Sequence, residues 1–270
     1  VFSPYYFWSG RRDPYNHVAI NVAVYGRKAS RWAMTERGRR ALVHDRSSFA
    51  VGPSQLRWDG YTLAINVDEV SAPIPARVRG RIRLYPEALA SQDVSLDRAG
   101  LHVWQPIAPR ARIEVEFTNP GVRWQGHGYF DHNRGEVPLE RSFRDWNWSR
   151  ATLADGAAVL YEGHEHDGAA FNLALRFDRD ACAVPVAPPD HAPLSSTPIF
   201  WMPRGTRSDE GHHPQVKRTL EDAPFYARSI LSTRLFGERV AAVHESLSLT
   251  RLDSAIVRQM LPYRMPRAIF

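Results

Sequence analysis

The spacing of the apolar residues constrains this chain most: their period is two almost everywhere. Val18, Ile20, Val22 and Val24 share one face of His17–Tyr25, and Tyr61, Leu63, Ile65 and Val67 share one face of Tyr61–Asp68. The pattern returns in Ile113, Val115 and Phe117, in Phe171, Leu173, Leu175 and Phe177, and in Leu247 and Leu249. Such alternation buries one face of an extended strand and leaves the other wet. Turn residues punctuate it at Trp58-Asp59-Gly60, Asn119-Pro120-Gly121, Asp155-Gly156 and Asp167-Gly168. Many short strands without alternating helices make an all-β sandwich or barrel, not a parallel α/β sheet.

Helix signals are sparse. The strongest covers Asp222 to Phe236, with Asp222 as N-cap, Pro224 in the first turn, Phe225, Ile230, Leu231 and Leu235 as apolar points, and Gly237 as the stop. A shorter helix is expected from Asp253 through Val257 and Met260 to Pro262. The five prolines between Pro185 and Pro198 predict a loop. Pro106 and Pro109 interrupt the strand pattern, which places a domain boundary at 105–110 and divides the chain into an N-terminal β-domain, 1–105, and a C-terminal one, 106–270.

Charge is unevenly spread. Residues 1–105 hold 15 Lys+Arg against 9 Asp+Glu, whereas residues 106–270 hold 20 of each. Arg77, Arg79, Arg81 and Arg83 alternate with Val78, Gly80, Ile82 and Leu84, so a strand there shows a basic stripe on one face. The plainest reading is a solvated sheet face; contact with an anionic membrane surface is the next, and nucleic acid is not expected. No run approaches the roughly 18 to 20 apolar residues needed to span a bilayer. The single cysteine, Cys182, excludes a disulfide framework and any zinc site built on several cysteines. The chain opens at Val1 without an initiator Met, so native residues upstream are expected.

Phosphate-cradling Gly-rich loops, G-x-S-x-G and H-E-x-x-H are absent. His164-Glu165-His166 beside Asp167-Gly168 reads as an exposed hairpin tip rather than a metal site, and His212-His213 as loop. Between Leu101 and Trp148, aromatic residues are interspersed with a few ionisable ones. His102 and Trp104 are two apart, and so are Tyr129 and Asp131, so each pair shares a strand face. If the two faces meet, a carboxyl, an imidazole, a phenol and an indole surround one space. Desolvation would raise the carboxyl's pKa there and keep it protonated near neutrality. The alternative is that Asp131-His132-Asn133-Arg134-Gly135 is a turn and Trp104 is plain core.

Longer strings go further. Val1-Phe-Ser-Pro-Tyr-Tyr6, His17-x-Ala-x-Asn-Val-Ala23, Arg31-Trp-Ala-Met-Thr-Glu-Arg-Gly38, Tyr129-Phe-Asp131, Trp146-x-Trp-Ser-Arg150, Thr219-Leu-Glu-Asp222, Pro224-Phe-Tyr-Ala-Arg228, His244-Glu-Ser-Leu-Ser-Leu249 and Met260-Leu-Pro-Tyr-Arg-Met-Pro-Arg267 resemble the bacterial carotenoid 1,2-hydratases (hydroxyneurosporene synthases) over nearly the whole chain. The resemblance implies two lipocalin-like β-barrel or sandwich domains, in a group that also holds pericyclases, so the fold alone does not fix the reaction. It also implies a further segment before the Phe-Ser-Pro-Tyr-Tyr motif. The family's functional His-x-Trp and Tyr-x-Asp pairs correspond to His102 and Trp104 and to Tyr129 and Asp131, with Asp131 as the proton donor.

The implied reaction needs no cofactor. A proton on C2 of the terminal alkene of an acyclic carotene, lycopene or neurosporene, leaves a tertiary cation at C1 for water to trap. Aromatic faces, Trp104 first, stabilise that cation. Asp131, once ionised, can also take the water's proton, so one residue can serve both steps. Glu36 is the next acid to consider. Tyr5, Tyr6, Phe7 and Trp8 can line a path for the hydrocarbon, or else plug a core or domain interface. A bilayer-dissolved substrate implies a peripheral protein, on the cytoplasmic side of the bacterial inner membrane. Two other readings stay open: a lipocalin-like pericyclase or isomerase, and a non-catalytic carotenoid or lipid carrier.

Overall fold

The computed structural model describes residues 3–26 and 30–268; Val1 and Phe2 of the first motif lie outside them. Strands dominate, and contacts divide the chain into two compact units. The first comprises residues 1–86, 111–128 and 258–270, the second residues 87–110 and 129–257.

The first unit opens with helix α1 (Pro4–Trp8), capped by the Ser3 hydroxyl. The ribbon β1 (Asn21–Val24) and β2 (Arg31–Met34) follows, then β3 (Leu42–His44), β4 (Ser48–Val51), β5 (Ser54–Trp58), β6 (Leu63–Val70) and β7 (Arg77–Pro86). The chain continues through β8 (Val94–Ser95) into two long strands, β9 (His102–Asn119) and β10 (Val122–Gly135). The sheet order is β10-β9-β7-β6-β5-β4-β3, with β8 on β9. Alternation places the core as expected: Ile20, Val22, Val67, Val78, Val115 and Phe117 are buried together, with Val18, Val24 and Ile65 packed on them. Tyr61 is the exception. It is exposed, because the Asp59 carboxylate accepts the amides of Tyr61 and Thr62 and holds them in the turn before β6.

Two expectations meet a different structure here. Pro106 and Pro109 lie inside β9, buried, and do not break it. The two halves of β9 and of β10 fall in different units, so contacts follow no single cut at 105–110. Likewise, 131–135 belongs to β10, so the alternative of a turn around Asp131 does not hold.

The second unit holds a short helix α2 (Leu139–Ser142) and the strands β11 (Phe143–Thr152), β12 (Ala157–Glu165), β13 (Ala170–Phe177), β14 (Ala183–Pro185), β15 (Asp190–Leu194), β16 (Arg204–Ser208), β17 (Gln215–Asp222), β18 (Tyr226–Leu235) and β19 (Glu238–Ser248). Seven form one antiparallel sheet, β14-β13-β12-β11-β19-β18-β17, while β15 pairs with β16. Strand β15 corrects the expectation of a loop throughout 185–198: Pro193 sits in a two-stranded ribbon, where the missing amide costs little. The predicted turns at 155–156 and 167–168 join β11 to β12 and β12 to β13. His164 and His166 are exposed at the latter hairpin, as expected.

The expected helix over Asp222–Phe236 is instead the end of β17, a turn, and β18. Ala227, Ser229, Leu231, Thr233 and Leu235 are all buried, a period of two that local cap signals masked. Asp222 accepts the amides of Ile199 and Phe200 rather than capping a helix. Gly237, with Phe236, takes positive φ in the two-residue hairpin joining Leu235 to Glu238. The shorter helical prediction holds: α3 (Leu249–Leu252) precedes α4 (Ala255–Met260), and a 3-10 turn, Leu261–Tyr263, ends it.

Candidate active site

Trp104, Tyr129 and Asp131 belong to the second unit and meet through the two strands that carry them. Strand alternation turns Trp104 inward from β9, where it is fully buried, and places Tyr129 and Asp131 on one face of β10. The Trp104 indole Nε1–H donates to Asp131 Oδ2 at 2.8 Å, and the Tyr129 hydroxyl donates to the same oxygen at 3.0 Å. Both bonds end on Oδ2. An acid proton therefore belongs on Oδ1, which neither donor occupies.

Burial pushes the Asp131 carboxyl above its ordinary range; the two donated hydrogen bonds pull it back in part, and the charge of Glu245 adds to the rise. Burial likewise raises the Tyr129 phenol well above its usual value, with the Asp131 charge second, so Tyr129 stays a donor. Tyr129 and Asp131 remain half-buried while Trp104 is not exposed at all. The carboxyl thus stands where a dry aromatic wall meets accessible space.

The wall is built by the seven-stranded sheet. Trp104 packs edge-on against Tyr161 of β12 at 5.9 Å between ring centroids, and Tyr129 lies 5.4 Å from Trp148 of β11. Tyr161 continues to Trp146 at 5.8 Å and to Phe171 at 5.6 Å. Gly163, paired with Phe171, makes this possible: a Cβ there would come within 2.7 Å of the Phe171 ring. Tyr161 is buried, and desolvation raises its phenol well above normal, with the charges of Asp131 and Glu245 adding to the effect. Arg150 is also buried; its guanidinium bonds the Pro109 carbonyl, stands 5.7 Å over the Tyr129 ring, and burial brings its pKa down to about 10.

His102 stands apart from the acid. Its Nδ1 meets Asp97 Oδ2 at 2.8 Å and its Nε2–H donates to the Val137 carbonyl at 3.1 Å, so both ring nitrogens are committed away from Asp131. Asp97 is buried, which opposes its charge, yet the hydrogen bonds from the His102 ring and backbone bring its pKa below the ordinary value. The His102 ring also packs 5.0 Å from Phe143. Close approach at Gly135, where a Cβ would come within 2.6 Å of the ring, keeps β10 against it.

Tyr5, Tyr6 and Trp8 lie on α1 in the first unit. Tyr5 and Tyr6 are half-buried, Trp8 is 52% exposed, Tyr5 meets Trp8 edge-on and Tyr6 packs on His17. Glu36, also in the first unit, is buried among Ser3, His17 and Arg267, all of which bond its carboxylate. These bonds tie the two ends of the first unit together. In the same unit a crevice of about 400 Å³ is lined by Arg81, Arg83 and Arg123, with Glu114 and Glu116 opposite in sign.

The profile of the family "Carotenoid hydratase CrtC" matches residues 1–269. The chain belongs to the carotenoid hydratase family. It is an enzyme, and family membership makes it a hydro-lyase. Among its relatives, the acyclic carotenoid 1,2-hydratase of Thiocapsa roseopersicina is 52% identical over 270 residues, which cover 99% of this chain and 67% of that protein. That of Rubrivivax gelatinosus is 48% identical, covering 99% of this chain and 67% of that protein. That of Cereibacter sphaeroides is 43% identical, covering 99% of this chain and 95% of that protein.

The fold is lipocalin-like. An AttH-type protein of Nitrosomonas europaea superposes with a TM-score of 0.55 at 9% identity, covering 81% of this chain and 76% of that one. CghA with Sch210972 superposes with a TM-score of 0.53 at 11% identity, covering 85% and 84%. At these identities the likeness concerns the fold alone.

Proposed function

We propose that this hydratase-family enzyme adds water across the terminal C1=C2 bond of an acyclic carotene such as lycopene or neurosporene, with Asp131 as the acid. The observation that carries this is one carboxyl held by two donors on a single oxygen and kept above its ordinary pKa by burial. A neutral carboxylic acid fixed beside an alkene is a strong enough donor to protonate carbon. The proton passes from Asp131 Oδ1 to C2 and the alkene's electron pair forms the new C–H bond. The tertiary cation left at C1 faces the Trp104, Tyr129 and Trp148 rings, each worth roughly 0.5 to 2 kcal/mol to a desolvated cation.

As the Asp131 proton leaves, the donors on Oδ2 bind the new carboxylate more tightly than the acid, which lowers the barrier. Water then bonds to C1 and gives up one proton to a carboxylate of the site, which leaves the tertiary alcohol. His102 acts by position: its bonds to Asp97 and to Val137 fix the start of β9, two residues from Trp104. The aromatic residues of α1 are proposed as a path for the hydrocarbon. No cofactor enters the scheme.

Such a substrate dissolves in a bilayer, so the protein docks on the membrane surface without a spanning helix; among the described residues none is long and apolar enough to cross. The docking face we assign is the basic stripe on β7 with Arg123 and the exposed Trp124.

The decisive test is incubation of purified protein with lycopene in detergent. A product heavier by one water is expected from the wild type, and none from Asp131→Asn, which still binds the carotene. Reaction under nitrogen in ¹⁸O-labelled water should place the label in the C1 hydroxyl, and reaction in D₂O should place deuterium at C2. A pericyclase incorporates neither isotope, and a carrier returns the carotene unchanged. Oxygen drawn from O₂ would sink the mechanism.

A further inference from the structure

Hydration of an alkene needs two proton transfers, one to carbon and one from the captured water, and a second carboxylate faces the Asp131 site. Across the sheet, Tyr161 of β12 pairs with Trp148 of β11, Trp148 with Glu245 of β19, and Glu245 with Arg228 of β18. Directly paired residues share one face, their Cβ atoms about 5 Å apart. The row Tyr161–Trp148–Glu245–Arg228 therefore lies on the face that Tyr129 and Trp104 pack against.

Three features single out Glu245. Arg228 Nε donates to Glu245 Oε1 at 2.9 Å and its terminal nitrogen lies 2.6 Å from the same oxygen, so this carboxyl is fixed in place by a guanidinium fork. The Glu245 side chain is only 24% exposed, shielded like Asp131 but with a cation beside it. Its neighbour Trp148 has a buried indole Nε1–H without a hydrogen-bond partner. A buried donor left unpaired is costly, on the order of 1–3 kcal/mol, unless something fills the space before it.

We propose that Glu245 and Trp148 Nε1–H hold the nucleophilic water, and that Glu245 is the base that takes its proton. The inference rests on Asp131 being the acid. In the step, the water oxygen accepts a hydrogen bond from Trp148, donates one to the carboxylate, and directs its remaining lone pair at C1. As that pair forms the C–O bond, the water's proton passes to Glu245. Asp131 has meanwhile become a carboxylate, so the summed charge of the two acids is unchanged, and a proton moving from Glu245 to Asp131 through solvent restores both. The environments separate the two roles: burial raises the pKa of Asp131, and Arg228 sits beside Glu245.

The test follows deuterium in D₂O. A cation formed by Asp131 but not trapped by water returns to alkene by giving a proton from C2 or from a C1 methyl back to Asp131. Deuterium then appears in recovered carotene. Glu245→Gln should lower alcohol formation by about 100-fold while deuterium exchange into unreacted carotene persists, so the ratio of exchange to hydration rises at least tenfold. Trp148→Phe, which keeps an aromatic ring beside Tyr129 but loses the N–H together with part of the indole's area, should lower hydration by about tenfold with the same rise in the ratio.

Glu245→Gln hydrating at the wild-type rate would overturn the assignment and return both steps to Asp131. Loss of exchange and hydration in equal measure, in both variants, would also overturn it, since that is what a merely structural residue does. Asp131→Asn serves as the control: it should abolish exchange and hydration alike, and normal hydration by it would remove the acid and this inference together.

Discussion

Asp131 sits in an environment that opposes its charge, and that has a cost in stability which can be measured. Its pKa is raised in the folded chain, so between the unfolded value near 3.8 and the folded one the folded state keeps a proton that the unfolded state releases. Stability from this group therefore falls as pH rises through that window and stays lower above it. Asp131→Asn, which can still accept from Trp104 and Tyr129, should raise the Tm at neutral pH and converge with the wild type below about pH 4, seen by calorimetry as a function of pH. His102 predicts the reverse. Removing it strands the buried Asp97 carboxylate, a loss of about 3–5 kcal/mol for a broken buried pair, so His102→Ala should lower Tm and activity together, whereas Asp131→Asn loses activity alone. Residue spacing and the family strings point to Asp131, Trp104 and Tyr129. They do not tell that His102 has both nitrogens engaged elsewhere, because Asp97 and the Val137 carbonyl carry no motif of their own. Tyr161 could not be read at all, and Trp148, Arg228 and Glu245 stood in the motif strings without a role, since only the register of β11, β12, β18 and β19 brings them into one row.

At the scale of elements, the strands with one clean apolar face were legible and β18 was not. Three of its five buried residues, Ala227, Ser229 and Thr233, are small or polar, so alternation there is visible in burial more than in hydrophobicity, and the caps at Asp222 and Gly237 suggested a helix. What holds β18 extended is pairing with β19 along its whole length, a contact that a local window does not contain. The same pairing buries His244, whose Nε2–H donates to the Gly205 carbonyl at 2.7 Å and whose pKa burial lowers to about 4. Between its ordinary 6.5 and about 4 the unfolded chain binds a proton that the folded chain refuses. Acidification through that window should cost on the order of 3 kcal/mol from this one residue. Urea midpoints at pH 7 and pH 4.5 check this: the wild type should lose more stability than His244→Gln across the interval, and an equal loss in both would mean that β19 tolerates a charged imidazole.

For the whole molecule the question is how an enzyme carrying no long apolar helix among its described residues would reach the acyclic carotene proposed as its substrate, which has no polar handle. The first unit presents Arg77, Arg79, Arg81 and Arg83 along β7, but the stripe is not uniformly basic. Asp68 pairs with Arg77 and Arg79, and Glu114 lies 3.7 Å from Arg83, so much of its charge is answered within the fold. Arg81 bonds the Asn66 amide rather than an acid, and it shares the crevice with Arg123 and the 48% exposed Trp124. An arginine near an anionic bilayer is worth about 1 kcal/mol, and an indole is at home in the headgroup layer. If this face docks, Arg81→Gln with Arg123→Gln removes about 2 kcal/mol, a factor of about 30 in binding to anionic vesicles. The loss should appear as a higher apparent KM for carotene presented in such vesicles, with kcat unchanged, and should vanish when the carotene is presented in detergent micelles. High salt should weaken the wild type in vesicles in the same way, because screening acts on exposed charge. An equal loss in vesicles and micelles would locate the effect inside the fold, and the basic stripe would then be an ordinary solvated sheet face.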